Sequence, residues 1–576
     1  MTVAEFVRRA VRLLATAFES AGPAEPAAAE RQGVFLTTSP VPPDASAPQR
    51  GEITSLAQFG GLARRAEFAG LIAAIEGLAL LARLGGRTSE RATRAVVGQM
   101  DQFRAELALR VNRSAEGRRL AQAVDLVVGC VLGALEDGLL VGDGFGRIDH
   151  LDFREWLTGR VAPETLESPI IRALYDLVFA YEDGDRNRPR FSAGLGLFLA
   201  AQLFFEYDGS IFWKMRAGMG DVVFAPLYQA LRERGVRFEF FHRLDSVELD
   251  EDHRNVTAVR LGRQIVLRDG LDAYEPLTRV GGLPCFPSEP DARQLNCPAP
   301  RRVESLWADR GAEQAVELRQ GRDFDVVVLA ISVGMVPHAA QALVEHVPGW
   351  RDVVANVRSV ATQALQLWMR PTEMELGWAH PGATVSGYRA MFDTYSSMSH
   401  LAVAEAWPQD DRPGAVVHLC SALPDAVATD PDVANDIVER NAAAFLNTDM
   451  SRFWPGATTP EDGFRYDLCC GDNGPAAISE RAGVYVRANV DPSDRYVQSL
   501  PGSSACRLRP DQSGLDNLVI AGDWTNCGLN AGCIEAAVMS GVEAANVVLE
   551  RPLTTALIGR WYGLGDEPDL IATAGA

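Results

Sequence analysis

Hydrophobic positions repeat at helical spacing over several stretches in the first part of the chain. Residues 1–20, 66–84 and 116–135 place apolar side chains three or four positions apart, which predicts amphipathic helices. The run at 191–205 is apolar almost throughout and predicts a buried helix. The first 210 residues are therefore predicted to be largely helical.

A helix followed by a strand is predicted next. The periodic pattern of 222–234 stops at Gly235, and glycine commonly follows the end of a helix. Alternation of apolar and polar residues at 236–240 predicts a strand, and 243–249 and 255–261 continue the extended pattern. This order of elements indicates an αβ unit.

The remaining strands fall into two kinds. Residues 324–331 are strongly apolar, which is typical of a parallel strand buried on both faces. Residues 362–368 and 415–419 predict strands of a second, mostly antiparallel sheet, and 485–489 predicts the strand that leads back to the first unit. The predicted domains are therefore interleaved along the chain.

The length and composition of the chain are sufficient for more than one domain. Of its 576 residues, 47% are hydrophobic and 23% are charged, which is sufficient for substantial cores. The formal net charge of -21 argues against nucleic acid or an anionic membrane surface as the main partner, because binding to either draws on positive charge.

The cysteines, the N-terminal residues and the longest apolar run indicate the cellular location of the protein. Nine cysteines, odd in number and without C-x-x-C spacing, predict a reduced, cytoplasmic protein, and no histidine pattern indicates a metal site. Residues 1–20 lack the continuous apolar core of a secretory signal. The run at 191–205 is shorter than the roughly 20 residues of a membrane span. A buried helix is expected there, and the alternative is an interfacial helix that makes peripheral membrane contact beside the entrance for a lipophilic substrate.

The residue types most suited to binding a ligand are concentrated at 517–541. A short apolar strand ends at Gly522, and glycine lets the backbone approach a ligand closely. Asp523 offers a carboxylate to sugar or ribityl hydroxyls. A helix of small residues begins near Gly532, and its first amides and its dipole would stabilise an electron-rich oxygen or a phosphate. The competing interpretation is a buried helix whose small residues serve packing alone.

This segment resembles the C-terminal signature of the FAD-dependent amine oxidase and phytoene desaturase superfamily. In that signature an Ala-Gly-Asp strand end precedes a Gly-Ala/Cys-x-Glu-x-Ala helix. The resemblance implies FAD as the cofactor, with Asp523 on its ribityl chain and Gly532, Cys533 and Ile534 at the pyrimidine edge of the flavin.

The resemblance extends the cofactor site to five further residues. Gly522 and Trp524 flank Asp523 and are assigned to the same site. In the superfamily a Gly-Met-Gly turn starts a helix that leads to a strand with an apolar residue against the adenine. The matching turn here implies Gly218 and Gly220, and the strand implies Leu244.

The fold class implied by the resemblance is α/β, with an FAD-binding Rossmann-like domain interleaved with an α+β substrate domain. The expected domains are a helical cap or substrate region at 1–210, FAD-binding segments at 211–265, 322–345 and 500–552, an irregular insertion at 266–321, a substrate domain with an antiparallel sheet at 346–499, and a tail at 553–576.

The unit that opens such a domain is not found in the sequence. A strand, G-x-G-x-x-G and a helix would hold the FAD pyrophosphate. Of the other glycine-rich candidates, 141–146 lies in a polar loop and 192–196 lies in an apolar run without a preceding strand. The Rossmann-like domain is therefore expected to be incomplete at its N-terminus. Three explanations are open: a start codon assigned too late, a separate chain that supplies the unit, or a fold that has lost FAD.

The candidate catalytic residue is Lys214, the only lysine among 55 lysine and arginine residues. A lone compact amine beside the Gly218 turn suggests a site that a guanidinium would not serve, and a solvated surface residue is the alternative. Many amine oxidases of the family carry a lysine near the flavin N5. The corresponding stretch, 362–368, has none.

The function implied by the resemblance is that of an FAD-dependent oxidoreductase. It would remove hydride from a small apolar substrate, such as an isoprenoid or a polyene, and oxygen or another acceptor would reoxidise the flavin. One alternative is an amine or amino-acid oxidase. The other is a non-catalytic or partner-dependent subunit that holds no flavin on its own.

Overall fold

The computed structural model describes residues 6–7, 9–10, 98, 115–139, 144–205, 213–296, 303–308, 314–461, 463–471, 478–553 and 555. These residues form both helices and strands, so the mixed α/β content expected from the sequence is confirmed.

Of the α-helices in the described residues, six precede the first strand and five follow it. The helices are α1 (Ala115–Glu136), α2 (Phe153–Leu157), α3 (Pro163–Leu166), α4 (Pro169–Asp176), α5 (Ala193–Phe205), α6 (Ala225–Glu233), α7 (Val336–Ala339), α8 (Gln341–His346), α9 (Trp350–Asn356), α10 (Pro431–Thr448) and α11 (Ile534–Val548).

The strands begin after α6 and continue to the C-terminal part of the described chain. They are β1 (His242–Leu249), β2 (Val256–Arg263), β3 (Thr278–Val280), β4 (Leu283–Cys285), β5 (Gln314–Arg319), β6 (Val327–Leu329), β7 (Ser359–Val360), β8 (Thr362–Met369), β9 (Thr384–Ser386), β10 (Thr394–Ser397), β11 (Ala415–Ala422), β12 (Thr458–Thr459), β13 (Gly463–Phe464), β14 (Val484–Asn489), β15 (Tyr496–Val497) and β16 (Leu518–Ile520).

Three sheets organise the chain. The largest is antiparallel with the order β14-β8-β11-β10-β9, and α10 covers one of its faces. A three-stranded antiparallel sheet has the order β1-β2-β5. Strands β6 and β16 form a parallel pair, in which Val327 lies opposite Leu518.

The three largest hydrophobic cores of the described residues lie in different parts of the fold. One lies among the helices α1 to α5, and one lies between the five-stranded sheet and α10. The third joins β1 and β2 to the β6–β16 pair and to the helices α7 to α9. The C-terminal signature forms part of this third core through Ile520 and Trp524.

The helix predictions are confirmed where the structure describes them. The helix expected at 116–135 is α1, and the apolar run at 191–205 forms α5. The helix expected at 222–234 is α6, preceded by one π-helical turn at Gly220–Phe224. Only four residues of the helix expected at 1–20 are described, and they are helical. The helix expected at 66–84 lies outside the described residues.

The strand expected at 236–240 is a wrong prediction. Within the described residues no strand pairs with this segment, and the first strand begins at His242. Its alternating pattern has another origin, since Phe238 and Phe240 both pack edge-on against the ring of Tyr228, at centroid distances of 4.7 and 6.0 Å. Aromatic packing on one side produces the same period of two as a sheet.

The segment 324–331 is a strand, but its predicted burial on both faces is wrong. Only the three residues of β6 form a strand within this segment. The side chains of Val326 and Val328 are 42% and 48% exposed. Within the described residues β6 has a single neighbour, β16. On the face shared with Val328, the helix α11 packs over Val519 of β16.

The strands expected at 362–368, 415–419 and 485–489 are confirmed as β8, β11 and β14. The last of these is an edge strand of the five-stranded sheet, where it pairs with β8. Within 266–321, β5 completes the three-stranded sheet and β3 pairs with β4. The proposed division into domains stays a prediction.

The described part of the chain lacks the features of a membrane-spanning helix and of a metal site. There, no helix has both the length and the apolar character needed to cross a membrane. The same residues contain no cluster of three or more His, Cys, Asp and Glu side chains that could hold a metal ion.

Candidate functional site

The turn after β16 depends on Gly522. This glycine has φ 147°, a backbone conformation that side chains disfavour, and a Cβ there would lie 2.5 Å from Nε1 of Trp524. The Trp524 ring is fully buried, and its Nε1 donates to the carbonyl of Ile331 at 2.9 Å. The backbone amide of Gly522 donates to Ser540 Oγ at 2.8 Å, which ties the turn to α11. The turn is thereby held against both β6 and the helix.

Asp523 stands at the apex of this turn and is half-buried. Burial raises the pKa of its carboxyl, while the charge of Arg507 and the amides of Asp523 and Trp524 act in the opposite direction. A half-buried carboxylate with this partial compensation is suited to accept hydrogen bonds from hydroxyl groups.

Arg507 is a residue of this site that the sequence did not reveal. Its side chain is fully buried, with one terminal nitrogen donating to the carbonyl of Asp523 at 2.8 Å and the other to the carbonyl of Gln498 at 3.2 Å. Nε has no hydrogen-bond partner among the described residues. Burial lowers the pKa of Arg507, and the guanidinium still remains charged. The site therefore contains a buried positive charge.

The start of α11 forms the second half of the site. Cys533 is the N-cap and makes no side-chain capping bond, and burial raises the pKa of its thiol to about 12. Gly532 packs closely, because a Cβ there would lie 2.6 Å from the carbonyl oxygen of Val497 and 2.9 Å from the ring of Tyr496. Ile534 is the first residue of α11. The first amides of this 15-residue helix have no partners within the helix and are available to a ligand.

Asn530 precedes this helix in a left-handed conformation with φ 52°. Its side chain is buried, and Oδ1 has no hydrogen-bond partner among the described residues. The other buried polar atoms without such a partner between residues 503 and 543 are Ser503 Oγ, Ser504 Oγ, Arg507 Nε, Asn526 Oδ1 and Glu543 Oε2. Buried polar atoms are normally satisfied, so this concentration is unusual.

These residues fit a flavin. Arg507 Nε and the α11 amides are donors, and Asn530 Oδ1 is an acceptor. A flavin ring offers carbonyl oxygens and a ring N–H that are complementary to both kinds of group. Asp523 lies beside them at the turn. The unsatisfied atoms favour a polar-edged ligand over further protein packing.

Leu244 packs against the same core as the C-terminal signature segment, residues 517–541. Leu244 lies on β1 opposite Leu261, and it packs against the core that contains Ile520 and Trp524. Leu244 and Trp524 therefore share one core, and Gly532 contacts Val497 of that core. The predicted cofactor residues Gly522, Asp523, Cys533 and Ile534 are neighbours of Trp524 or Gly532 in the chain.

The turn that contains Gly218 and Gly220 makes its contacts outside the core that contains Leu244 and Trp524. It leads into the π-helical turn that packs against β4. A Cβ at Gly218 would lie 3.0 Å from Asp221 Oδ2, whereas Gly220 has its nearest neighbour, Phe286, at 3.9 Å. Their assignment to the cofactor stays a prediction.

Lys214 forms a link to the five-stranded sheet. Its Nζ donates to the carbonyl of Gly382 at 2.6 Å and to that of Ser397 at 2.9 Å, next to β9 and within β10. Burial lowers the pKa of Lys214, and the nearby carboxylate of Glu373 opposes this shift. The Lys214 amine is therefore hydrogen-bonded to two backbone carbonyls. Its assignment as a catalytic residue stays a prediction.

Comparison with known proteins gives one family match and a loose likeness in fold. Residues 471–549 match the family of flavin containing amine oxidoreductases. No curated protein matches the sequence.

Two solved structures illustrate the likeness in fold. An oxidoreductase from Methanosarcina mazei is 8% identical, with a TM-score of 0.39 over 69% of this chain and 68% of that chain. A putrescine oxidase variant with a redesigned cofactor site is 11% identical, with a TM-score of 0.36 over 81% of this chain and 76% of that chain. Likeness at this level gives no information about substrate.

The matched residues include β14, β16, the Asp523 turn and α11. The resemblance to the flavin-containing amine oxidoreductase superfamily predicted from the sequence is therefore confirmed, and it resides in residues 471–549.

Proposed function

We propose that the protein is an FAD-dependent oxidoreductase that removes hydride from an apolar substrate. The observation that carries this proposal is the family match over 471–549, where Asp523, the buried Arg507 and the start of α11 converge. Bound FAD would supply the hydride acceptor, which no protein side chain provides.

The residues of the chain would bind and orient this cofactor. Asp523 would accept hydrogen bonds from ribityl hydroxyls, and the amides of Ile534 and its neighbours would donate to the edge of the flavin ring. Arg507 would hold the carbonyl of Asp523 in place and add a fixed positive charge. Leu244 would pack against the adenine from the core that it shares with Trp524.

An apolar substrate is favoured over an amine by two observations. Strand β8 has no lysine, although many amine oxidases of the family carry one at the flavin. The lone amine of Lys214 is occupied by two backbone carbonyls. An isoprenoid or polyene is therefore the proposed substrate class, and an amine or amino acid is the alternative.

A partner-dependent subunit is the second candidate function, and the open edge of β6 favours it. Within the described residues, β6 pairs only with β16, and Val326 and Val328 remain exposed. A strand with a G-x-G-x-x-G turn could add to this edge in parallel, as in other dinucleotide-binding sheets. A separate polypeptide that supplies this unit is the proposed partner.

The substrate class is tested by anaerobic reduction of the flavin-loaded protein. Bleaching of the flavin absorbance by a polyene, with no bleaching by a primary diamine, is the expected result. Bleaching by the diamine alone would overturn the apolar assignment in favour of amine oxidation. Bleaching by neither, with flavin bound, would favour the non-catalytic subunit.

A further inference from the structure

Two carboxyl groups are buried where the helical part of the chain meets the five-stranded sheet. Asp176 is the last residue of α4, and Asp393 immediately precedes β10. The two residues are 1% and 0% exposed, and they are here termed the acid pair. Aspartate is rarely buried to this extent unless it is paired, so the surroundings of each carboxyl determine its charge.

Asp176 accepts several hydrogen bonds that favour its charged form. One carboxylate oxygen accepts from the hydroxyl of Tyr181, and the other accepts from the amide of Gly387 at 3.2 Å. Burial raises the pKa of Asp176, while these donors and the charges of Arg186 and Arg172 act in the opposite direction. Asp176 is therefore the better stabilised anion of the acid pair.

Asp393 has weaker partners. Its Oδ2 lies 3.3 Å from Arg186 Nε but has no hydrogen-bond partner among the described residues. Its Oδ1 accepts a long hydrogen bond of 3.4 Å from Thr394 Oγ1. Burial and then the charge of Asp176 raise the pKa of Asp393, and Arg186 opposes this shift. Because an ion with so little compensation is costly to bury, Asp393 holds a proton in the folded protein.

The acid pair lies in a contact between two parts of the fold. One part is the helical segment, residues 169–190, and the other is the β9–β10 hairpin, residues 384–397. Arg172 Nη1 donates to the carbonyl of Gly387 at 2.9 Å, and the amide of the same glycine donates to Asp176. The helical segment thus binds both backbone groups of one residue in the hairpin.

The two carboxyls are the groups of this contact that titrate between about pH 4 and pH 8. Burial raises the pKa of the two tyrosines and of the cysteine that face them, so these side chains stay neutral over this range. The arginines stay charged. The surrounding groups are Tyr181, Tyr388, Cys420, Arg172, Arg186 and Arg389.

The helical segment also contacts the candidate flavin site. Gln498 Nε2 donates to the carbonyls of Phe179 and Tyr181, both at 2.8 Å. The carbonyl of Gln498 in turn accepts from Arg507 at 3.2 Å. A shift of the helical segment would therefore reach Arg507 through a single residue.

We propose that Asp393, together with Asp176 and Arg186, forms a pH-sensitive latch that holds the helical segment on the β9–β10 hairpin and loosens as the pH rises. A proton on Asp393 leaves one carboxylate to share Arg186, whereas its loss leaves two carboxylates in one buried site. The proposal goes beyond the proposed function and uses it only to name the flavin site.

The direction of the pH dependence follows from the buried state of Asp393. Once the latch opens, water reaches the carboxyl, which then releases its proton at an ordinary aspartate pKa of about 4. The closed latch is therefore fully stabilised below about pH 4 and loses stability as the pH rises toward the raised pKa of Asp393. One proton released on opening changes the opening equilibrium up to about tenfold per pH unit.

Amide hydrogen exchange at pH 5.5 and pH 7.5 tests the latch in the full-length chain without added flavin. After correction for the intrinsic exchange rate, protection of the β9–β10 hairpin is expected to fall at least about tenfold between the two pH values. Strand β11 of the same sheet is the internal reference. A smaller change in β11 separates opening of the latch from unfolding of the whole sheet.

Two variants assign this change to the acid pair. Asp393→Asn is neutral at every pH, so the loss of protection should disappear. Asp494→Asn, at an exposed aspartate that pairs with Arg487 of β14, is the matched control and should retain the loss. Asp176→Asn is used if Asp393→Asn does not fold, and it should reduce the loss because it removes the neighbouring charge.

Equal protection of the wild-type hairpin at the two pH values would overturn the proposal. A loss of protection that persists unchanged in folded Asp393→Asn or Asp176→Asn would do the same. Because the exchange is measured without flavin, a chain that shows the predicted pH dependence and binds no flavin would support the latch and count against the proposed function alone.

Discussion

Arg507 and Asp523 show how single residues shape the candidate flavin site. The guanidinium binds the backbone carbonyl of Asp523, not its carboxylate, so the carboxylate stays available for a ligand. The sequence predicted Asp523 because it stands in a recognisable turn. Arg507 could not be predicted, because it is one arginine among many and its partners are backbone carbonyls 16 and 9 positions away.

Removal of the Asp523 carboxylate should weaken flavin binding. Asp523→Ala loses charge-assisted hydrogen bonds to the ribityl chain, worth about 1.5 to 3 kcal/mol, so the flavin dissociation constant should rise about ten- to a hundredfold. Fluorescence titration with FAD measures it. Asp516→Ala, at an exposed carboxylate, is the control and should leave the affinity unchanged. Equal affinity in both variants would remove Asp523 from the site.

Glu543 on α11 should make stability depend on pH. Burial raises the pKa of this carboxyl to about 7, and its Oε2 has no hydrogen-bond partner in the described part of the chain. Between pH 4.5 and 7 the folded state therefore holds a proton on Glu543 that the unfolded state has released. The stability that this protonated carboxyl contributes is fully present below pH 4.5 and is lost as pH rises through 7.

The expected consequence is that Glu543→Gln stabilises the protein at pH 8, by about 1 to 3 kcal/mol, and changes little at pH 4.5. Chemical unfolding at the two pH values measures this difference. An equal effect at both would show that the carboxyl does not titrate between them.

At the scale of elements, the spacing of apolar residues predicted the helices and strands whose pattern depends on their own residues alone. Helices α1 and α5 and strands β8 and β11 follow from their own patterns. The segment 236–240 failed because its aromatic residues pack against Tyr228 without a neighbouring strand.

Lys214 connects two elements, and its substitution distinguishes a structural role from a catalytic one. Lys214→Met removes both hydrogen bonds to the sheet and leaves two carbonyls without this partner, so the free energy of unfolding should fall by about 1 to 3 kcal/mol. Denaturant unfolding measures the loss. Unchanged stability combined with lost flavin reduction would instead support the predicted catalytic role.

The turn at Gly522 should be sensitive to any side chain. Gly522→Ala places a Cβ against the buried Trp524 at a backbone angle that alanine disfavours, so a loss of roughly 1 to 3 kcal/mol is expected. Thermal unfolding checks this result. Gly502→Ala is the control, because it has φ 78° but no neighbour within 4 Å, and it should cost less. Equal losses would mean that the Trp524 contact is unimportant.

At the scale of the whole molecule, the described chain has a five-stranded antiparallel sheet and a parallel sheet of two strands. The parallel pair carries the signature on β16, and no second strand of the described residues pairs with the other edge of β6. The sequence predicted both strands but not the exposure of β6, because exposure depends on which strands lie beside it.

Hydrogen exchange should report on this edge. The amide of Val327 donates to Asn517 at 2.9 Å, whereas the amide of the next residue, Val328, faces the other edge of the strand. In the chain alone, Val328 should exchange at least about tenfold faster than Val327. A polypeptide that adds a strand should slow Val328. Equally slow exchange of the two amides in the chain alone would contradict an open edge.

The proposed flavin site of this chain is formed by Asp523, Arg507 and the start of α11. The most direct test is the visible absorbance spectrum of the purified 576-residue protein after incubation with FAD and desalting. Flavin bands that remain with the protein, and that are reduced in Asp523→Ala, are the predicted result. A spectrum without flavin bands, for the chain alone and also with a partner that supplies the strand beside β6, would contradict the account.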